Sequence, residues 1–377
     1  MENKSDNSRR SFIKKSSLAI GALSSLGALA TNDVSKNSIE KLEGNELKLA
    51  GYDVNRVKAI VAGKVNIGNY DYSFQKARIG DINTNILTGS QDYDITEIGL
   101  HPYMLAYAND GFRDYSLLPI FPLRLFRHKS VFIRNDGKIK NPTDLKGKKI
   151  GTAGYSSTSL TWLRGIFEDE YGVSPKDVTW VISNKDSSKE ASGNISEFEQ
   201  ILPEGVKIVM GKQGLDESEL LLSGEVDALF HAAEPQAYVE RNPNVTRLFS
   251  DSKKVEQDYY KKTGVFPIMH AIAVRNSLIE ENPNIIKEVF KAYSKAKAMD
   301  FAFMQKLGWA YDSLPWYAQE LEETKAVMGN DYWPYGIEKN RKALETLFRY
   351  SYEQGLSETH LTIEDLFHED SLHLTEK

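Results

Sequence analysis

From residue 47 to residue 274 the sequence alternates short apolar runs with stretches of helical character, and this alternation limits the fold more than any other feature. Residues 47–50, 93–99, 117–120, 130–134, 149–151, 226–230 and 266–274 read as strands, one of them closed by the turn signal Asn135-Asp136-Gly137. Residues 102–108 are helical in character, as is the run carrying Leu160, Leu163, Ile166 and Phe167, which opens on hydroxyl residues suited to an N-cap. After residue 274 the chain turns almost wholly helical. Strand followed by helix, repeated, predicts an α/β fold with two mixed or parallel sheets flanked by helices. The 377 residues suffice for two such lobes. We expect a first lobe over 47–133, a second over 134–265, and a return to the first lobe over 266–377 with C-terminal helices. Ligands of open α/β sheets sit at the carboxyl ends of strands, so two lobes present those ends to a shared cleft.

Residues 1–46 stand apart from this pattern. Arg9 and Arg10, followed by Phe12-Ile13-Lys14-Lys15, precede an uncharged Ala, Leu, Gly and Ser run over 16–30 that ends in Ala28-Leu29-Ala30. The run is too short to span a bilayer, and its order of basic, apolar and small residues is that of a cleaved export signal. The paired arginines point to the twin-arginine pathway, with cleavage after Ala30 and a periplasmic or otherwise exported product. Residues 31–46 are polar and patternless, a linker. The formal net charge of the whole chain is -6. The first thirty residues carry five bases against two acids, so the remainder is more acidic still. That balance argues against nucleic acid as a partner. No later stretch reads as a membrane span. The absence of cysteine excludes disulfides, thiolate metal sites, a cysteine nucleophile and a lipobox anchor.

Several blocks in the body of the chain carry a family resemblance. They are Gly80-Asp81; the run from Pro119 to His128, with its Phe121-Pro122-Leu123-Arg124-Leu125-Phe126-Arg127; the run from Asn141 to Gly151; Trp162-Leu163-Arg164-Gly165; and Asp169-Glu170-Tyr171-Gly172-Val173. Further on come the run from Lys262 to His270, Leu314-Pro315-Trp316, the run from Met328 to Gly336, and the run from Arg349 to Leu356. Together these resemble the 4,5-dihydroxyphthalate decarboxylase family, over about 47–367. The resemblance implies the fold of type 2 periplasmic binding proteins, whose other members include transporter receptors. The export signal makes the expected function an exported solute-binding protein, the receptor of an ABC transporter, that closes two lobes over a small carboxylated or aromatic ligand and delivers it to a membrane permease. The alternative is an aromatic carboxy-lyase of the decarboxylase type on the same fold.

The residues supply candidates for either chemistry. Arg124 and Arg127 lie just before the first crossover, and two guanidinium forks suit adjacent carboxylates. Tyr155, Ser156, Ser157 and Thr158 open a helix whose free N–H groups face the cleft, an anion site as well as a cap. His101, His128, His231 and His270 fall at strand ends, with Glu234 three residues after His231. His128, His231 and Glu234 are the candidate proton donors of a decarboxylase. Tyr52, Asp53 and Tyr103 are expected on the rim, where aromatic rings can stack on an aromatic ligand, and His101 and His270 are expected to contact it. A metal held by His231 and Glu234 with His101 is the weaker alternative, and we expect no metal and no cofactor. The turn Gly151-x-x-Gly154 lacks the rest of a dinucleotide fingerprint.

Overall fold

The computed structural model describes residues 46–183, 185–187, 189–306 and 313–376. The leader and linker read from residues 1–45 lie outside them.

The first sheet is built from β1 (Leu47–Gly51), β2 (Tyr72–Lys76), β3 (Ile95–Gly99) and β4 (Tyr115–Arg124), together with β11 (Ile268–Arg275) from far along the chain. Its order is β2-β1-β3-β11-β4. β1 runs parallel to β2 and β3, whereas β11 lies antiparallel between β3 and β4. β3 is buried at every position, Thr96 and Glu97 included, so the alternation that marks it as a strand does not divide a core face from a solvent face.

The second sheet comprises β5 (Val131–Arg134), β6 (Lys149–Thr152), β7 (Thr179–Ile182), β8 (Ile208–Met210), β9 (Ala228–Phe230) and β10 (Val245–Arg247), in the order β10-β5-β9-β6-β7-β8. β6, β7, β8 and β9 pair in parallel and β5 is antiparallel to both its neighbours. The whole of β5 therefore belongs to the second sheet. The chain changes lobe within residues 125–130, slightly upstream of the expected boundary at 133/134, and it returns through the helix Ser252–Thr263 to β11.

The core is shared more than two separate lobes require. One continuous apolar cluster takes in Leu49, Ile95 and Ile272 of the first sheet and Ile150, Trp180 and Phe230 of the second. A smaller cluster around Phe132, Leu221, Val226 and Leu229 stands apart from it. The C-terminal helices join the lobes. Helix Arg341–Glu353 packs on helix Thr158–Tyr171 of the second lobe, where the Trp162 and Tyr350 rings meet edge to face at 5.6 Å. The chain end comes back to the first lobe, with buried Lys297 on Glu376 at 2.5 Å and Phe367 bridged to Leu117.

The polar stretch after β7, which reads as an exposed excursion, is a bridge instead. Ser183, Gly193 and Ser196 are buried, and Asn194 donates from both its backbone and side-chain nitrogens to Asp81 Oδ1 of the first lobe, at 3.2 and 3.1 Å.

Candidate functional site

The carboxyl ends of β1 and β3 and the first residues of β11 meet in the first lobe, and each contributes one polar side chain. Glu97 sits inside β3 and is 2% exposed. Its Oε1 accepts the Nδ1–H of His270 at 2.6 Å, and its Oε2 accepts the backbone N–H of Tyr52 at 2.9 Å. Both carboxylate oxygens are thus committed, which fixes the imidazole's orientation and tautomer and leaves His270 Nε2 without a partner among the described residues. The Tyr52 ring leans on the imidazole, with centroids 5.6 Å apart. Burial pushes the Tyr52 phenol up to about 12, the N–H of Ile79 works against it, and the carboxylates Glu97, Glu199 and Asp81 push it further, so it stays protonated.

The second lobe reaches into this group through Glu199. Ser196 donates to Glu199 Oε2 from Oγ at 2.8 Å and from its backbone N–H at 3.1 Å, which makes the glutamate the third residue of a capping box. The same oxygen accepts from Asn83 Nδ2 at 3.4 Å across the lobes, and Asn83 Oδ1 in turn accepts the N–H of Gly99 at 2.9 Å. Burial raises the Glu199 carboxyl above the usual range against those hydrogen bonds and the pull of His270. The result is a histidine oriented by one carboxylate and placed within the field of a second carboxyl that is biased toward its protonated form.

Of the expected site residues, only Tyr52 and His270 stand in this group. Asp53 is at the surface, paired with Lys76 at 2.5 Å. Tyr103 belongs to the first lobe's core rather than its rim, 1% exposed, with its hydroxyl on the Tyr115 carbonyl at 2.6 Å. His101 pins the lobes together. Its backbone N–H donates to Thr158 Oγ1 at 3.0 Å, Nδ1–H to the Ser156 carbonyl at 2.6 Å, and Nε2 meets Ser351 Oγ at 2.9 Å. Burial holds its pKa down to about 3. The start of helix Thr158–Tyr171 is consequently occupied by protein. Ser156 Oγ bonds the Phe198 carbonyl and the Ile201 N–H, Ser157 caps Leu160, and Tyr155 is buried beneath the Arg164 guanidinium, 3.8 Å from its ring.

The two crossover arginines are buried, without a carboxylate partner among the described residues. Arg124 bonds Asn340 Oδ1, whereas Arg127 donates to the Ala232 carbonyl at 2.7 Å and turns its other nitrogens on Met269 Sδ. Burial lowers each to about 9. His128 fills an aromatic cage of Tyr171, Phe249 and Tyr259, and both its ring nitrogens lack hydrogen-bond partners among the described residues. Glu234 is paired with Arg247 at the surface.

His231 heads a second buried cluster, in which its ligating atoms and those of Asp186 and Glu217 lie within 4.8 Å of one another. Its Nδ1 accepts the Ala233 N–H at 3.2 Å, so the ring proton is on Nε2, directed at Ser187 Oγ (3.3 Å) and Glu217 Oε2 (3.9 Å). With its proton on Nε2, the ring faces Ser187 and the Glu217 carboxylate as a donor and offers them no lone pair for a cation.

Sequence reading missed Glu97, Asn83 and Glu199. An acid within the strand Ile95-Thr96-Glu97-Ile98 was the available signal. Glu199 and Asn83 sit in ordinary polar contexts and acquire meaning only across the cleft.

Two mixed sheets flanked by helices, two chain crossings and a polar cluster between the lobes define a protein of the type 2 periplasmic-binding-protein fold. Within that class the chain is a member of the 4,5-dihydroxyphthalate decarboxylase family. It is 33% identical over 327 residues to a 4,5-dihydroxyphthalate decarboxylase of Comamonas testosteroni, covering 87% of this chain and 97% of that protein. It is 33% identical over 206 residues to one of Pseudomonas putida, covering 55% of this chain and 78% of that one. Residues 124–195 match the family model described as NMT1/THI5 like. Among solved structures it is similar to the periplasmic aliphatic sulphonate binding protein SsuA of Escherichia coli, with a TM-score of 0.49 at 15% identity, covering 86% of this chain and 98% of that one. The periplasmic sulfonate-binding protein of Methylobacillus flagellatus gives a TM-score of 0.49 at 16% identity over 86% of this chain and 91% of that one.

Proposed function

We propose that the chain is a carboxy-lyase acting on an aromatic acid that carries a ring hydroxyl, and that Glu97, His270 and Glu199 supply its acid–base chemistry. The observation that carries the reading is the Glu97–His270 contact at 2.6 Å with Nε2 left free. Family membership supports it, since both relatives are named for such a reaction on 4,5-dihydroxyphthalate. In the reaction we envisage, His270 Nε2 takes the proton of a hydroxyl para to the departing carboxylate, which enriches the ring in electrons. Protonated Glu199 delivers its proton to the ring carbon that bears the carboxylate. The carbon–carboxylate bond then breaks, its electron pair returns to the ring, and CO2 leaves. His270 returns its proton to the product oxygen, and Glu199 is reprotonated from solvent, so one proton is consumed for each CO2 released. A raised Glu199 and a fixed imidazole are the two properties such an exchange needs.

Incubating the purified chain with 4,5-dihydroxyphthalate and measuring CO2 tests this reading. We expect turnover, reduced about 100-fold or more in His270→Asn and in Glu97→Gln, the range a positioned acid–base group contributes. No CO2 from the unmodified chain would remove the proposal.

A second reading, an exported solute receptor, is favoured by the basic-apolar-small leader over 1–30. Saturable binding of an aromatic acid with no turnover would select it. Export by the twin-arginine route belongs to either reading. No helix among the described residues is long and apolar enough to cross a membrane.

A further inference from the structure

We propose that Tyr52 is a specificity-determining residue of the Glu97–His270 group, its hydroxyl donating to the oxygen of a second ring hydroxyl that neighbors the one held by His270. The inference rests on the reading of that group as the substrate site.

A hydrogen-bond acceptor and a donor stand side by side in this group, each unused by the protein. His270 gives its Nδ1–H to Glu97, so Nε2 can only accept. Tyr52 supplies the opposite. Its oxygen accepts the N–H of Ile79 at 3.4 Å, and its own hydrogen meets no acceptor among the described residues. The phenol keeps that hydrogen, because burial and the surrounding carboxylates hold its pKa up. One carboxylate fixes the pair: Glu97 Oε1 is on the imidazole at 2.6 Å, Oε2 is on the Tyr52 backbone N–H at 2.9 Å, and the two rings lie 5.6 Å apart. Glu199 of the second lobe acts electrostatically on both residues, so both border the cleft.

An acceptor next to a donor matches one pattern on a ring. A hydroxyl gives its proton to Nε2, and the hydroxyl on the adjacent carbon accepts from Tyr52. The carboxylate that leaves stands para to the first hydroxyl, across the ring and away from Tyr52. A ring with a single hydroxyl leaves the Tyr52 donor without a partner in a partly buried place, and a site built to hydrogen-bond a ligand hydroxyl rejects the analogue that lacks it. Tyr52 therefore contributes through its hydroxyl as well as through the ring that leans on the imidazole.

Two probes separate that hydroxyl from the rest of the ligand. Loss of one carboxylate from 4,5-dihydroxyphthalate leaves 3,4-dihydroxybenzoate, whose 3-hydroxyl is the one presented to His270 and whose 4-hydroxyl faces Tyr52; 3-hydroxybenzoate lacks only the latter. Titrated calorimetrically into the full chain, the dihydroxy acid should bind about tenfold or more tighter than the monohydroxy acid. Tyr52→Phe, which keeps a ring against His270, should bring that ratio to within about twofold of one, with thermal melts reporting that the variant is folded. A contact from Tyr52 to the ligand's carboxylate would instead weaken both acids alike, and that outcome overturns the proposal. So does a ratio near one in the unmodified chain, or binding of neither acid. A preference that depends on Tyr52, found without CO2 release from 4,5-dihydroxyphthalate, supports the contact and removes the carboxy-lyase reading alone.

Discussion

Two buried histidines make the molecule sensitive to acid. His101 is held to about 3 and His128 to about 4, in both cases chiefly because burial penalizes the charged ring. In the unfolded chain each titrates near pH 6.5. Below that pH the unfolded state binds protons that the folded state refuses, so stability is full above about pH 6.5 and falls as pH drops toward the folded values. Each histidine contributes a slope of at most about 1.4 kcal/mol per pH unit. Urea titrations between pH 7 and pH 4 should show this decline, and His128→Phe should make it shallower while leaving turnover intact, because the cage of Tyr171, Phe249 and Tyr259 accepts a ring with no polar atoms. A variant with the original slope would show that His128 is not one of the groups responsible. The histidines were legible as a set of four at strand ends, but their roles were not. Which nitrogen meets which oxygen is decided by residues far away in the chain, Ser351 for His101 and Glu97 for His270.

At the scale of elements, the periodic segments were legible because each buries a face against its neighbors. What the sequence hid was pairing. β5 follows β4 closely in sequence, yet it joins the other sheet by pairing with β9 and β10, far along the chain. Helix contacts depend equally on distant chain. At Gly165, in helix Thr158–Tyr171, an added Cβ would lie 2.3 Å from the Tyr350 ring of helix Arg341–Glu353. Gly165→Ala should therefore cost about 1–3 kcal/mol by overpacking, even though alanine is the better helix former. Chemical denaturation would measure the loss, and an unchanged midpoint would mean that the two helices move apart at no cost.

At the scale of the whole molecule, the lobes touch where no side chain can be added. A Cβ at Gly80 would sit 1.9 Å from the Asn194 carbonyl oxygen. Gly80→Ala should hold the bridge of residues 192–195 away from the first lobe, loosening the approach of Glu199 to Asn83. The expected result is a larger radius of gyration by small-angle scattering, with turnover reduced by up to about 100-fold, the penalty a misplacement of about 1 Å carries. Scattering identical to that of the unmodified chain would count against it. The two-lobe architecture itself was readable from the strand and helix alternation. The closure was not, because it depends on a polar stretch with no periodicity of its own.

The position of β11 carries a further consequence, for the order in which the chain becomes itself. The second sheet is complete once residue 247 has been made, but the first has a gap between β3 and β4 until residues 268–275 arrive. All strands of the second sheet are therefore in hand before the first sheet can close. His270 comes with the last strand, so Glu97 waits through the synthesis of more than half the described protein without its partner, and a chain cut short before β11 lacks the Glu97–His270 pair.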